Sequence, residues 1–299
     1  FTALAKFDIN SRISLSNNDS GDENTVLGYG AGASLDANSD KNTFIGHQAG
    51  DGSMNTALNN VGIGHSALGA LTTGNNNIAI GYNSLLSMTA GGENIGIGTG
   101  TLDAIDGTEV SNIAIGSNTM GAVDEGSHGS ALANYNIAIG DNALLGGSFG
   151  SSDLDLLGNI AIGHFAMQAT STNAQTGTVA IGYSALTALT SGLNNTAVGY
   201  LAGDALVGGG QNTLIGVNAG GNFDGEDYNT AIGYGAYSGA SSGAYCTVVG
   251  GNAMQGNATQ DGTVAIGYTA LNALTSGAGN VAIGYQAMME HVDGSRNMA

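Results

Sequence analysis

The sequence predicts an all-β fold: a β-solenoid or β-roll of about sixteen coils that forms a rod. A nine-residue phrase, exemplified by NTAIGYGAY at residues 229–237, recurs fifteen times, mostly every 17 residues. This period suits one turn of a solenoid and is too short for a helical hairpin. The composition agrees, because the 299 residues include 53 glycines, which tight corners favour, and no proline, which a hydrogen-bonded strand ladder excludes.

The spacing of the phrase is regular except at two places. We number its positions one to nine, so that position one is usually Asn and position five is Gly. Of the fourteen gaps between position-five glycines, eight are 17 residues, three are 18, one is 19, and two are 24 and 23. A sixteenth copy begins at Asn297, so we expect the chain to be a piece of a longer protein. The position-five glycines are Gly28, Gly46, Gly64, Gly81, Gly98, Gly116, Gly140, Gly163, Gly182, Gly199, Gly216, Gly233, Gly250, Gly267 and Gly284.

The first twenty residues do not fit the phrase, so we expect a lead-in or cap over residues 1–20 and the repeat array over residues 21–299. The alternating stretch from Ile13 to Ser16 is typical of a short edge strand. Because the end of a stacked ladder is an open edge, this strand is expected to cover the first coil.

Positions two to four predict the strand of each coil. Position two is Thr, Ile or Val, position three is mostly Ala, and position four is Ile, Val or Leu, so neither strand face carries charge. We therefore expect both faces to be covered, one by the coil interior and the other by a second copy of the chain. The residues expected in the core are Ile80, Ile115, Ile139, Ile162, Ile232 and Ile283.

Position one is Asn in twelve of the fifteen copies, with Thr178, Cys246 and Thr263 as the substitutes. One interpretation is a ladder of amides that hydrogen-bond from coil to coil, and the other is a local turn cap. Both interpretations are structural. The asparagines selected as structural repeat residues are Asn77, Asn112, Asn136, Asn159, Asn195, Asn212, Asn229 and Asn280.

Position six is Tyr in seven copies and His in three. Its possible roles are a metal site, a platform for sugars, or packing, of which we favour packing because no Cys or carboxylate lies at ligand spacing. Cys246 is the single cysteine and occupies an Asn slot, which favours a small buried residue over a nucleophile.

The charge distribution excludes several classes of partner. The formal net charge is −19, and residues 42–295 contain no Lys or Arg. Nucleic acids and anionic membranes are bound through basic clusters, so neither is an expected partner, and no apolar run is long enough to cross a bilayer.

Most acids lie between the phrases, where we expect them to form a charged surface that keeps the protein soluble. Calcium binding by these turns is the alternative, although no EF-hand or nonapeptide calcium pattern is present, so no cofactor is predicted.

The two long gaps predict loops at residues 117–135 and 141–158. Insertions into a solenoid coil bulge outwards and tend to collect on a binding face, so these loops are the candidate recognition features. Neutral loop growth is the alternative, because long insertions cost little. The candidate recognition residues are Asp124, Glu125, His128, Tyr135, Phe149, Asp153 and Asp155.

Catalysis is not predicted, because near-identical coils do not place a unique acid, base and nucleophile. No GxSxG, HExxH or P-loop pattern occurs. Carboxylate pairs such as Asp153 with Asp155, or Glu226 with Asp227, resemble those of glycosidases but are common in any acidic chain.

The phrases NIAIG, NTAVG and TVAIG resemble the head repeats of trimeric autotransporter adhesins, which are left-handed β-rolls of three parallel chains. The longer pattern xNTAIGYxAL followed by LTSGxxN more closely resembles repeat arrays of phage tail fibres and related bacterial tail-fibre-domain proteins, as does the lead-in KFDINSRISLSNND. The 17-residue coil is longer than the repeat period of adhesin heads, so it favours the resemblance to tail-fibre arrays over the resemblance to adhesins.

This resemblance implies a shaft segment of a virion tail fibre that is extracellular, self-associates as a homotrimer, and contributes to adhesion to a host cell-surface receptor or glycan. A bacterial trimeric surface adhesin or extracellular filament is the alternative. Two further readings stay open: a polysaccharide-degrading tailspike, which needs a groove of carboxylates, and an ice-binding solenoid, which needs a regular Thr face.

Overall fold

The chain folds as a parallel β-solenoid of about 14 turns with a spacing of about 17 residues. The computed structural model describes residues 12–14, 23–123, 132–147, 155–170, 175–239, 242–256 and 261–299. These residues are strands and turns without a helix, so none of them forms a helix that would reach across a membrane. The fold class predicted from the repeat is therefore confirmed.

The first of two compact units covers residues 1–121. Its strands β2 to β7 pair in parallel, each with the next, and β1 pairs antiparallel with β2 through Arg12 and Gly28, Ile13 and Leu27, and Ser14 and Val26. The edge strand expected near Ile13 is thus present. The strands are β1 (Arg12–Ser14), β2 (Thr25–Gly28), β3 (Thr43–Ile45), β4 (Val61–Ile63), β5 (Ile78–Ile80), β6 (Ile95–Ile97) and β7 (Ile113–Ile115).

The second unit covers residues 122–299 and contains two ladders. The longer ladder joins β9, β11 and β13 to β19 in parallel, and the shorter one joins β8, β10 and β12. The strands are β8 (Ala133–Asn134), β9 (Ile137–Ile139), β10 (Leu156–Leu157), β11 (Ile160–Ile162), β12 (Gln175–Thr176), β13 (Val179–Ile181), β14 (Thr196–Val198), β15 (Thr213–Ile215), β16 (Thr230–Ile232), β17 (Thr247–Val249), β18 (Val264–Ile266) and β19 (Val281–Ile283).

The coils stack in register, so each position of the phrase meets the same position in the next coil. Thr196, Ala197 and Val198 lie opposite Thr213, Leu214 and Ile215, for example. The regular period in the sequence is what allows this register, because equal coils place equal side chains one strand spacing apart.

The core is built from positions three and nine, which corrects the core prediction. Position three is buried in every repeat strand. The Leu and Met side chains at position nine, such as Leu186 and Met254, are buried too, except Met288, which is half-buried. Position four instead points outwards and is half-buried or exposed. A narrow coil that already holds a Leu or Met has room on the strand side for little more than a methyl group, so Ala faces inwards and the larger residue faces out. The residues wrongly placed in the core are Ile80, Ile115, Ile139, Ile162, Ile232 and Ile283.

Candidate functional surfaces

The buried asparagines at position one form a hydrogen-bonded ladder inside the solenoid. In the first unit the Nδ2 group of Asn77 donates to Oδ1 of Asn60 at 3.1 Å, and that of Asn94 donates to Oδ1 of Asn77 at 3.2 Å. The same Oδ1 atoms accept the backbone N–H of the next position one, as between Asn94 and Asn77 at 3.0 Å. The second unit repeats the pattern between Asn212 and Asn195. The hydrogen-bonded ladder of amides, one of the two interpretations of position one, is therefore present.

Each of these amides also closes its own coil. Asn77 Nδ2 donates to the carbonyl oxygen of Gly91 at 2.8 Å, and Asn195 Nδ2 donates to that of Gly209 at 2.8 Å. The same side chain thus makes the ladder bond and a bond to a carbonyl oxygen 14 residues further along the chain, which is not the local turn cap considered from the sequence. Position one satisfies polar backbone groups in the interior, which a free ligand would not reach.

The ladder is interrupted at Thr178, and restoring it should stabilise the protein. The Thr178 N–H donates to Asn159 Oδ1 at 3.0 Å, but its buried Oγ1 has no hydrogen-bond partner. In Thr178→Asn we expect Oδ1 to accept the Asn195 N–H, raising the free energy of unfolding by about 1–2 kcal/mol in urea titrations. Thr196→Asn is the control, since position two faces outwards and cannot join the ladder. An equal gain in both variants would contradict this role.

Within each unit, the outward face of the repeat strands is a surface without charge, which we call the strand face. Its side chains occupy positions two and four. Position four is always Leu, Ile or Val, and its exposed fraction reaches 36% at Ile80, 37% at Ile215 and 59% at Ile283. Position two changes along the chain from Thr at β2 and β3 to Ile or Val at β4 to β7, β9, β11 and β13, to Thr at β14 to β17, and to Val at β18 and β19. Such a surface is suited to contact with another apolar surface.

The aromatic side chains at position six form a second outward row, which we call the aromatic ladder. In the first unit the rings of Tyr29, His47, His65 and Tyr82 stack on one another with centroids 5.2, 4.9 and 5.0 Å apart. In the second unit Tyr183 stacks on Tyr200 at 5.3 Å, and Tyr268 on Tyr285 at 5.8 Å. The histidines therefore contact neighbouring rings, and the described residues contain no group of three or more potential metal ligands.

The candidate recognition loops are only partly within the described residues. Asp124, Glu125, His128, Phe149 and Asp153 lie outside them. The two remaining candidates stand at the ends of the long gaps. Tyr135 is exposed and directly follows β8.

Asp155 lies beside the short ladder. It immediately precedes β10, and its Oδ1 atom accepts the backbone N–H of Leu132 at 3.2 Å. The described ends of the long gaps therefore add strands to the solenoid, where the sequence predicted only loops.

An acidic cavity of about 290 Å³ lies in the second unit and was not predicted as a site. It is lined by Asp224, Glu226, Asp227 and Asp261 together with small residues. Three of these carboxylates hold the backbone: Glu226 Oε2 accepts from Gly225 at 2.8 Å, Asp227 Oδ1 from Gly210 at 2.6 Å, and Asp261 Oδ1 from Ala244 at 2.9 Å. They act as side-chain caps of the corners.

Cys246 lies in the interior beside Tyr237, whose hydroxyl group donates to the cysteine Sγ at 3.5 Å. Burial raises the pKa of the Cys246 thiol and that of the Tyr237 phenol, so both are held in their neutral forms. A neutral, buried thiol is a packing group rather than a nucleophile.

Comparisons with protein-family models, with curated proteins and with solved structures find no match to this chain. Its family is therefore not shown by similarity, and the two outward surfaces are the features from which a function is inferred.

Proposed function

We propose that this chain is a structural shaft segment of an extracellular fibre of the phage tail-fibre type, built as a parallel homotrimer through the strand face. The observation that carries the proposal is the large aliphatic side chain at position four of every repeat, turned outwards. A row of half-exposed Ile and Val is costly in water, and its burial would contribute about 25 cal/mol per Å².

A second copy of the same chain is the occupant that fits the strand face best. The face repeats at a fixed spacing, so an identical parallel chain presents rows of aliphatic side chains at the same spacing. The acids lie mostly between the phrases and off this face, so three chains with a net charge of −19 each can approach without carboxylates at the contact. The proposed role is mechanical and adhesive and requires no catalytic group.

Light scattering of the chain in solution tests the assembly, and a mass three times the 29.4 kDa of one chain is expected. Ile215→Asp should dissociate the trimer, because it places a charge in the contact. Val207→Asp is the matched control: Val207 is 40% exposed against 37% for Ile215, but lies outside the repeat strands. It should leave the mass unchanged.

A stable monomer of the unsubstituted chain would contradict the proposal. Equal dissociation by the two aspartate variants would show that contact is not made through the strand face. A trimer that keeps its mass in Ile215→Asp would overturn that assignment as well.

A further inference from the structure

The acidic cavity of the second unit contains more carboxylate oxygens than its own hydrogen bonds use. Asp227 and Asp261 are exposed, and each accepts a backbone N–H through its Oδ1 atom. Within the part of the chain that the structure describes, their Oδ2 atoms have no partner, and the exposed Asp224 side chain accepts no hydrogen bond. The cavity is therefore lined by acceptors that remain available to a ligand.

Glu226 is the buried member of this group. It is 5% exposed, and its Oε2 atom accepts the N–H groups of Asp224 and Gly225. Its Oε1 atom is buried as well, but among the described residues it has no hydrogen-bond partner. A buried carboxylate oxygen that accepts no hydrogen bond costs free energy. Because the corner is already capped through Oε2, the unpartnered Oε1 of a cavity-lining residue points to a donor from outside the chain.

The neighbouring coils supply no cation to these carboxylates. Residues 42–295 contain no Lys or Arg. Arg296 lies two coils beyond Asp261, and no ion pair joins it to the cavity within the described ranges. The negative charge of the cavity is therefore complementary to a positively charged ligand.

An exposed pair of aromatic rings adjoins the cavity. Tyr228 directly follows Asp227, and Tyr245 directly follows Ala244, and both preceding residues line the cavity. The two rings stack with centroids 5.0 Å apart and are 49% and 63% exposed. The face of a tyrosine ring attracts cations, Arg more often than Lys. The carboxylates and the rings thus favour the same class of ligand.

The spacing of the two aspartates favours an organic cation over a metal ion. Asp227 Oδ1 accepts from Gly210 and Asp261 Oδ1 accepts from Ala244, so the two side chains occupy the same corner position two coils apart. At about 4.8 Å per coil, they are about 9.6 Å apart. The oxygens around one calcium ion lie within about 5 Å of each other. The cavity volume of about 290 Å³ is close to the lower limit of about 300 Å³ for small-molecule sites.

We propose that the acidic cavity binds a guanidinium group, the cation of an arginine side chain. Guanidinium has five N–H donors in a planar fork, so it bonds to carboxylates on different sides at once. It is more weakly hydrated than an ammonium group and therefore loses less on moving beside the buried Glu226. Glu226 Oε1 and the Oδ2 atoms of Asp227 and Asp261 are the acceptors, and the stacked tyrosines offer a flat surface for the rest of the ligand.

This inference goes beyond the proposed fibre shaft. The lining residues lie between the phrases, outside positions two and four, and belong to one chain, so binding does not require the homotrimer. Two sources carry a guanidinium group, an arginine side chain of a partner protein and a free guanidinium compound. The chemistry is the same for both, and the experiment separates them.

Isothermal titration of the chain with the blocked peptide acetyl-Gly-Arg-Gly-amide at low ionic strength tests the site. The peptide should bind, and its citrulline analogue, which has the same shape without the charge, should not. Glu226→Gln should weaken binding at least about tenfold, because a charge-assisted hydrogen bond is lost. The glutamine oxygen still accepts from Asp224 and Gly225, so the circular dichroism spectrum should stay unchanged.

Glu290→Gln is the matched control, because it removes the same charge at an exposed position outside the cavity. It should leave binding unchanged. Asp261→Asn should weaken binding and provides a second test if Glu226→Gln fails to fold, since its amide oxygen still accepts the Ala244 N–H.

The proposal is overturned if the arginine peptide does not bind, if the citrulline analogue binds equally well, or if only calcium chloride or the corresponding lysine peptide binds. It is also overturned if Glu226→Gln and Asp261→Asn both bind as tightly as Glu290→Gln. Tighter binding of the peptide than of agmatine would assign the guanidinium group to a partner protein. Tighter binding of agmatine would assign it to a free compound at the same site.

Discussion

Replacing Gly199 with alanine is expected to destabilise the protein by about 3–5 kcal/mol, the sum of a strained backbone and an overpacked contact. Gly199 has φ +146°, which L side chains rarely adopt, and its Cβ would lie 2.3 Å from the carbonyl oxygen of Gly216. The coils cannot separate to relieve this contact, because the Gly216 N–H donates to Val198 O at 2.8 Å. The measurement is the midpoint and slope of urea unfolding.

Gly225→Ala is the matched control for this prediction. A Cβ on Gly225 would meet nothing within 4 Å, and its φ is not in the left-handed region. We expect a change within about 0.5 kcal/mol, as for an exposed substitution. A small effect in Gly199→Ala, similar to that in Gly225→Ala, would show that the coils can shift and that the position-five glycine is not required.

Asn212→Ala is expected to destabilise the protein by about 3–5 kcal/mol, because it removes buried hydrogen bonds and leaves their partners unsatisfied. Asn212 Nδ2 donates to Asn195 Oδ1 at 3.0 Å and to Glu226 O at 2.6 Å, and Asn212 Oδ1 accepts the Asn229 N–H at 3.0 Å. Alanine satisfies none of these groups. Urea unfolding and hydrogen exchange at the Asn229 amide measure the loss.

Asn38→Ala is the control for the asparagine ladder. Its side chain is exposed and makes only a local bond to Asp36 Oδ2 at 3.2 Å, so we expect a change of less than about 0.5 kcal/mol. If Asn212→Ala behaves like Asn38→Ala, water has replaced the amide, and the ladder contributes register rather than stability.

Much of the fold was readable from the sequence because the repeat is local and periodic. The spacing of the position-five glycines predicts one coil per phrase, and the strands β2 to β7 and β13 to β19 follow it. Asn at position one allowed either a ladder of amides or a local turn cap, and the structure shows the ladder. The edge strand at residues 12–14 was also recognisable from its alternating pattern.

The sequence did not show which face of each strand points into the coil and which points outwards. Alternation separates Ala at position three from Ile at position four but does not say which of them points inwards. The expectation that Ile139 and its equivalents form the core was wrong, because Leu and Met from position nine already occupy the interior. The side chains at positions four and nine compete for the same interior volume only once the coil has closed.

The sequence by itself determined the coil period and the parallel register, because both depend on residue types that recur at a fixed interval along the chain, and it offered the amide ladder as one of two interpretations of position one. Only the tertiary structure decided that the aliphatic rows of the strand face point outwards and that corner carboxylates such as Asp227 and Asp261 line one cavity. Those features depend on which side chains from separate coils share a volume, and stacking of the closed coils sets that arrangement.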